Sequence, residues 1–289
     1  MVNIIKVTAI TTPNSEGHIV RILIFTRRVI LAASIFAIHF SALAQGGLTP
    51  PGAPTPTMKS LAQIEPRTPI STLPFNITQP GSYYVTTNLT ATGDGIIIDT
   101  NDVALDLGGF TLSGDGGASD DGVNITSQSR VSIRNGTVRN FGAGVHIDPG
   151  SAEVTVEDMT VIGNVTGLSA SSSASTLSLV RSVFRRVRAI SNTSTGIFIA
   201  NGTPTSTITQ NIVDDCEAIK NTDFGIQVFP PGNLITRCRV SGSGTANYSI
   251  GMSNRLGTIV FPAVNPSTIN GSTGGPGTGT TDPFANLSF

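Results

Sequence analysis

Tryptophan is absent from the 289 residues, tyrosine occurs three times, and aromatic residues make up 6% of the chain. A sugar-binding platform of stacked indoles is thereby excluded. Only two cysteines are present, too few for a fold stapled by several disulfides or for an all-cysteine zinc site. Charged residues are 12% of the chain, with 17 Lys+Arg against 18 Asp+Glu. The basic field that holds nucleic-acid phosphate is missing, so no nucleic-acid partner is expected. No histidine follows His146, which leaves a Cys-His nucleophile without support. No helical segment of about 10–15 residues separates the apolar runs, which excludes βαβ units.

The first 44 residues read as a secretory signal. Arg21, Arg27 and Arg28 precede the apolar run from Val29 to Phe40, and Ala42 and Ala44 form the small pair before a cleavage point. The alternative is a single membrane anchor, for which the run is short. Processing would leave 13 Lys+Arg against 17 Asp+Glu, a net of −4, with no membrane span. The expected location is secreted, at the cell surface or in the periplasm. Residues 45–57 form a Pro/Gly-rich linker. Residues 58–74 hold a short helix, with Met58, Leu61 and Ile64 on one face, and a lead-in. That helix either caps a repeat stack or associates between chains.

Residues 75–261 carry a repeat. A glycine precedes a short β-branched strand at Gly95, Gly122, Gly144, Gly196 and Gly225, and Leu168 and Ser249 look like two more starts with the glycine replaced. The steps are 27, 22, 24, 28, 29 and 24 residues, the length of one turn of a β-solenoid. After each start comes an apolar pair spaced by three: Leu107/Phe110, Ile133/Gly136, Val156/Met159, Val180/Val183, Val213/Cys216 and Ile235/Cys238. Phe110 and Met159 are expected to fill the space that Gly136 leaves. A third short stretch returns through turns at Asn140, Asn164, Asn192, Asn221 and Asn254, since Asn tolerates the left-handed conformation and can bond to the next coil. The expected fold is all-β, a right-handed parallel β-helix of about seven coils. Cys216 and Cys238 share one slot in adjacent coils, so they are either a disulfide or two buried thiols.

Ile77-Thr-Gln-Pro-Gly-Ser-Tyr-Tyr-Val85, Asn88-Leu-Thr90, Gly95-Ile-Ile-Ile98 and the run Val103 to Gly114 resemble the opening of secreted bacterial right-handed parallel β-helix repeat proteins with the pectin-lyase-like fold, of a type frequent in planctomycete and verrucomicrobial genomes. Met58 to Ile70 and Asp282 to Phe289 also resemble segments of that group. The resemblance implies the fold and export. It does not choose an activity, because the wider fold hosts pectate lyases, polygalacturonases, adhesins and phage tail parts.

Within the coils, Asp214-Asp215-Cys216-Glu217-Ala218-Ile219-Lys220 resembles a polygalacturonase run, and Asn221-Thr222-Asp223 resembles another. The order of the two is reversed here, and the histidine and Arg-x-Lys motifs are missing. Inverting hydrolysis needs two carboxylates about 6.5–9.5 Å apart. Lyase chemistry needs a base and a cation beside the uronate. The candidates are Asp158, Arg186, Asp214, Asp215 and Asp223, with Asp158 and Asp215 sharing a slot with Ser182 and Arg237. A ladder of surface salt bridges is the plainer reading of them. Asp115, Asp120 and Asp121 form an acidic, Gly-rich turn that could take calcium weakly; no other cofactor is implied. Residues 262–289 form a Gly/Thr-rich tail whose Phe284, Leu287 and Phe289 are expected to cover the last coil or to dock on another subunit. Together these features favour a non-enzymatic structural or binding protein that presents a flat face to polysaccharide or to other copies of itself. The alternative is a polysaccharide lyase or glycoside hydrolase acting on an acidic polysaccharide.

Overall fold

The computed structural model describes residues 66–171, 178–201, 207–260, 269–271 and 282–289. The expected signal segment, linker and short helix, and most of the expected tail linker, lie outside the described residues.

The described chain is a stack of parallel strands. A sixteen-stranded sheet and a nine-stranded sheet face each other across the core, and a two-stranded pair, Leu179–Val180 with Ile208–Thr209, flanks them. Pairing begins at Thr68–Ile70, against Tyr83 to Val85, so the stack starts earlier than residue 75.

The core is built in columns, because a parallel in-register stack sets one slot of each coil about 4.8 Å from the same slot of the next. On the nine-stranded sheet Ile96, Val123, Val145, Leu168, Ile197, Ile226 and Tyr248 form one such column, all buried. The same register corrects two repeat starts: they are Gly167 and Asn247, one and two residues before Leu168 and Ser249.

Glycine is needed in this position for a steric reason. A Cβ on Gly167 would lie 2.4 Å from the Gly196 carbonyl oxygen and 2.9 Å from Asn192 Nδ2. The column of glycines makes room for a ladder of buried amides. Asn192 Oδ1 accepts from the Asn164 backbone N–H at 3.0 Å, and Asn221 Oδ1 accepts from that of Asn192 at 3.1 Å. A second ladder runs through Ser182, Asn211, Asn233 and Asn254. Asn254 thus belongs to a different turn from Asn164. Asn140 is exposed with φ at 59°, one residue short of the amide slot.

On the sixteen-stranded sheet two of the expected apolar pairs are shifted. Ile133 stacks on Leu105 and Val156 stacks on Phe184, so the pairs are Leu105/Leu107 and Phe184/Val187. The Gly108-Gly109 turn leaves Phe110 half-buried at the edge of the core, and it is Leu107 whose Cβ stands 2.3 Å from where a Cβ on Gly136 would be. Val183 is half-buried on the outer face. Cys216 and Cys238 do share a slot; both are free thiols at 1% and 0% exposure. Burial first, and the neighbouring Cys216 second, push the Cys238 thiol well above its ordinary value.

The tail corrects another expectation. Asn286–Ser288 joins the sixteen-stranded sheet with Asn286 and Ser288 buried, while Phe284 and Phe289 are 55% and 44% exposed. The segment docks by hydrogen bonds rather than by burying its apolar side chains.

Candidate functional site

The chemistry-bearing residues stand on the outer face of the sixteen-stranded sheet, where each coil kinks. Asn135, Asp158, Arg186, Asp215 and Arg237 all have φ between 50° and 61°. A side chain pays about 1 kcal/mol or more for this left-handed conformation. In return the kink keeps the ladder intact: the Arg186 N–H reaches the Asp214 carbonyl and the Asp215 N–H that of Thr236, both at 3.1 Å.

Register places these turns in a single column, Asp158 to Arg186 to Asp215 to Arg237, in which the charge alternates in sign. The strand column beside it alternates too, through Asp106, Arg134, Glu157, Arg185 and Asp214. On the other side of the kink the column is Arg188, Glu217 and Arg239. Charges of one sign stacked about 5 Å apart would repel by roughly 3 kcal/mol at an effective dielectric of 20. Alternation turns that repulsion into ion pairs. Arg186 Nε lies 2.6 Å from Asp158 Oδ1, and Arg188 Nε lies 2.8 Å from Glu217 Oε2. The hydrogen bonds from Arg186 hold the Asp158 carboxyl below its ordinary value.

A groove lies on each side of the turn column. The first is lined by Asp158, Arg186, Arg188, Asp215, Glu217 and Arg239. The second has an apolar wall of Ile212, Leu234, Leu256 and Phe284, with Arg185, Arg237 and Arg255 around Asp214. Asp214 is 3% exposed. Arg237 Nε donates to its Oδ1 at 2.8 Å, a second guanidinium nitrogen of Arg237 holds Oδ2, and Arg185 Nε stands 3.5 Å away. Those hydrogen bonds to Asp214 raise the Arg237 guanidinium above its ordinary value. Arg237 also lies over the Phe284 ring, 5.9 Å from its centroid.

Of the residues singled out by sequence, Asp158, Arg186, Asp214 and Asp215 meet at these grooves. The partner of Asp158 and Asp215 in their column is Arg186, not Ser182, because the fourth coil is registered through Phe184. Asp223 lines neither groove; it accepts a hydrogen bond from Ser194 Oγ at 2.8 Å. The acidic turn does not converge. Asp115 accepts from the Gly117 N–H, and Asp121 turns to His146, 3.4 Å from its Nδ1. Among the described residues no group of three His, Cys, Asp or Glu side chains is placed to hold a metal ion.

Sequence reasoning missed His146. Its Nε2 lies 3.4 Å from Asp148, so the ring bridges two carboxylates on the outer face of the nine-stranded sheet. Burial opposes the charged ring, but the two carboxylates outweigh it and push His146 up to about 10. The signal was the His146-x-Asp148 alternation, which sets both side chains on one face of a strand. Arg255 of the second groove was also missed, because only the pairing of Arg255 and Leu256 with Leu234 and Ile235 brings it there.

Residues 86–250 match a family described as the right-handed β-helix region. This chain belongs to that family. Among solved structures, this right-handed β-helix resembles an alginate lyase from a Paenibacillus species at 14% identity, covering 76% of this chain and 87% of that one, with a TM-score of 0.45. It also resembles the A-module of a mannuronan C-5 epimerase from Azotobacter vinelandii, at 13% identity, 68% of both chains and a TM-score of 0.41. A pectate lyase aligns at 15% identity over 71% of this chain and 70% of its own, with a TM-score of 0.38. These are distant likenesses of architecture. No curated protein sequence matches the chain. Among the described residues no helix is long and apolar enough to cross a membrane.

Proposed function

We propose that this right-handed β-helix acts on an acidic polysaccharide laid across the two grooves, as a polysaccharide lyase. The observation that carries the reading is unspent positive charge on one face. Among the described residues Arg255 has no ion-pair partner, and Arg239 reaches Glu217 only at 4.0 Å. Arg239 opens on the first groove beside Arg188 and Arg255 on the second, placed to receive the carboxylates of successive uronate residues. Asp215 is the proton acceptor in this reading. It stands between Arg186 and Arg237 in the turn column, and no cation among the described residues pairs with it within 4.0 Å. In the reaction Asp215 takes the proton from C5 of the uronate, the C4–O bond breaks, a C4–C5 double bond forms, and the departing oxygen takes a proton from water. The arginines stabilise the carboxylate as charge moves onto it. Acidic polysaccharides are also named for the alginate lyase and the pectate lyase, although the reading rests on the grooves. Export by the signal segment, as in the planctomycete and verrucomicrobial repeat proteins that the sequence resembles, would set the protein beside such polymers.

A second reading is favoured by a separate observation: Asp158, Asp214 and Glu217 already hold arginines. A face so paired serves as a binding or structural surface without turnover. The test is incubation of the chain with a panel of polyuronates and sulfated polysaccharides, with and without calcium, read by unsaturated-product absorbance and by co-sedimentation. The lyase reading expects product that Asp215→Asn abolishes while binding persists, and binding that falls in the Arg239→Ala, Arg255→Ala double variant. Binding without product leaves the second reading. Absence of both rejects the site.

A further inference from the structure

The sixteen-stranded sheet does not fill in chain order. The strand that follows Arg239–Ser241 along its main path is not Ile259–Val260 but the terminal strand Asn286–Ser288, which lies between the two. It is parallel to both, with Leu287 opposite Arg239 on one side and Val260 on the other. In the nine-stranded sheet, by contrast, Ile269–Gly271 stacks directly on Ala246–Ile250. The chain passes over one level of the larger sheet and fills it last.

What holds the terminal strand is hydrogen bonding. The Leu287 and Phe289 N–H groups donate to the Cys238 and Val240 carbonyls at 2.8 and 3.0 Å, and the Asn286 N–H donates to the Thr258 carbonyl at 2.7 Å. The Asn286 side chain enters the stack as an amide rung: Oδ1 accepts from the Cys238 N–H, and Nδ2 donates to the Ile235 and Gly257 carbonyls. Asn247 Nδ2 donates to Ser288 Oγ and to the Phe289 carbonyl. None of these contacts requires strand and slot to belong to one chain. The chain path between them, residues 261–281, is Gly- and Thr-rich.

We propose that residues 282–289 exchange between copies of this chain, each slot taking the terminal strand of a second copy. The slot then is a β-augmentation site whose partner is the protein's own tail. A tethered tail faces an effective concentration in the mM range, so the closed monomer prevails in dilute solution and exchange grows as the protein approaches that concentration.

The test mixes isotope-labelled and unlabelled full-length chains at about 1 mM, near the tether's own effective concentration, cross-links them at that concentration, then dilutes them for mass spectrometry. Mixed dimers that survive dilution are expected. The strand makes the same hydrogen bonds in its own slot as in a partner's, so weakening it lowers both states alike; deleting residues 282–289 removes the exchanged strand itself and should abolish the mixed dimers. Deleting residues 272–279, which shortens the return path, should move dimer formation to lower concentration. Monomers alone in the native chain at the highest concentration overturn the proposal. So do dimers that are equally abundant once residues 282–289 are deleted, since they would form through another surface. Should either variant fail to fold, the native mixing result still decides.

Discussion

Replacing Asn192 by alanine removes the middle rung of a buried amide ladder. Asn192 is 0% exposed. Its Oδ1 accepts from the backbone and side-chain N–H groups of Asn164 at 3.0 and 3.3 Å, and its Nδ2 donates to the Val161 carbonyl at 3.3 Å and to Asn221 Oδ1 at 2.9 Å. In Asn192→Ala the Asn164 backbone N–H loses the one partner it has among the described residues, at a buried site. One buried orphan costs about 1–3 kcal/mol, and each further lost bond about 1 kcal/mol. The expected loss is roughly 3–5 kcal/mol, a large share of the 5–15 kcal/mol that holds a typical domain. Urea denaturation of the full chain reads it as a lower midpoint at unchanged slope, and hydrogen exchange at the Asn164 amide should quicken first. The exposed Asn140→Ala is the control, with an expected loss of about 1 kcal/mol or less. Asn192→Asp refines the reasoning, since it keeps the acceptors and loses both donors. A carboxylate oxygen would face Asn221 Oδ1, so the folded state favours the protonated acid, and stability should recover as the pH falls. A loss below about 1 kcal/mol in Asn192→Ala would refute the view that the ladder is an obligatory satisfaction of buried backbone.

The glycine column gives a second prediction: in Gly167→Ala the new methyl meets a backbone oxygen at 2.4 Å that cannot move without shifting the next coil, so a loss of roughly 2–4 kcal/mol is expected by thermal melting. His146 gives a pH dependence. Its value in the fold, about 10, lies above the unfolded value near 6.5, so its stabilisation is complete below about pH 6.5 and is lost as the pH rises through 10. A displacement of this size corresponds to at most roughly 5 kcal/mol, which residual solvent access and two 3.4 Å contacts reduce to about 1–3 kcal/mol. Denaturation of the native chain and His146→Gln should therefore converge at high pH, and a constant difference from pH 6 to about pH 10 would contradict the assignment. In Arg237→Ala the buried Asp214 keeps only the longer contact with Arg185. A loss of about 1–3 kcal/mol is expected, less than a fully buried pair would give because Arg237 is itself half-exposed, and Asp214→Asn in the same background should recover part of it.

The architecture was legible because a solenoid repeats its own evidence. Gly95, Gly122, Gly144, Gly196 and Gly225 each precede a β-branched strand, and the steps between them match one coil, or two from Gly144 to Gly196. Register was less legible wherever two residues could fill one slot. Val180, Val183, Phe184 and Val187 offer two apolar pairs at the same spacing, and only the pairing of Val156 with Phe184 decides between them. That choice moves Arg186 into the turn column, and with it the identity of the site. Thr166-Gly167-Leu168 hid a start because leucine follows the glycine where Ile96, Val123, Val145, Ile197 and Ile226 are β-branched. The tail was misread for a physical reason: its alternating pattern suggested that phenylalanine and leucine face the core, whereas Asn286 and Ser288 do so because the interior slot they enter is an amide ladder. The apolar wall of the second groove could not be read, since Phe284 and Leu234 are brought together by a strand inserted out of order.

The alternation of sign also explains why positive charge is left unspent at one end of the stack. Beside the two grooves the middle-coil arginines have a carboxylate in the next level: Arg186 lies between Asp158 and Asp215, and Arg188 pairs with Glu217. The inserted tail breaks the rule, because it sets Leu287 opposite Arg239, and Arg255 stands opposite Leu234. Restoring the alternation should therefore spend the charge that the proposed ligand needs. In Leu287→Glu the new carboxylate would stand one strand spacing from Arg239 and compete with an acidic polymer for it. Stability should change by less than about 1 kcal/mol, as for other exposed pairs. Affinity for polyuronate should fall several-fold in low salt, with the difference shrinking as added salt screens the groove. Unchanged affinity, in protein whose melting is preserved, would place the ligand elsewhere on the helix.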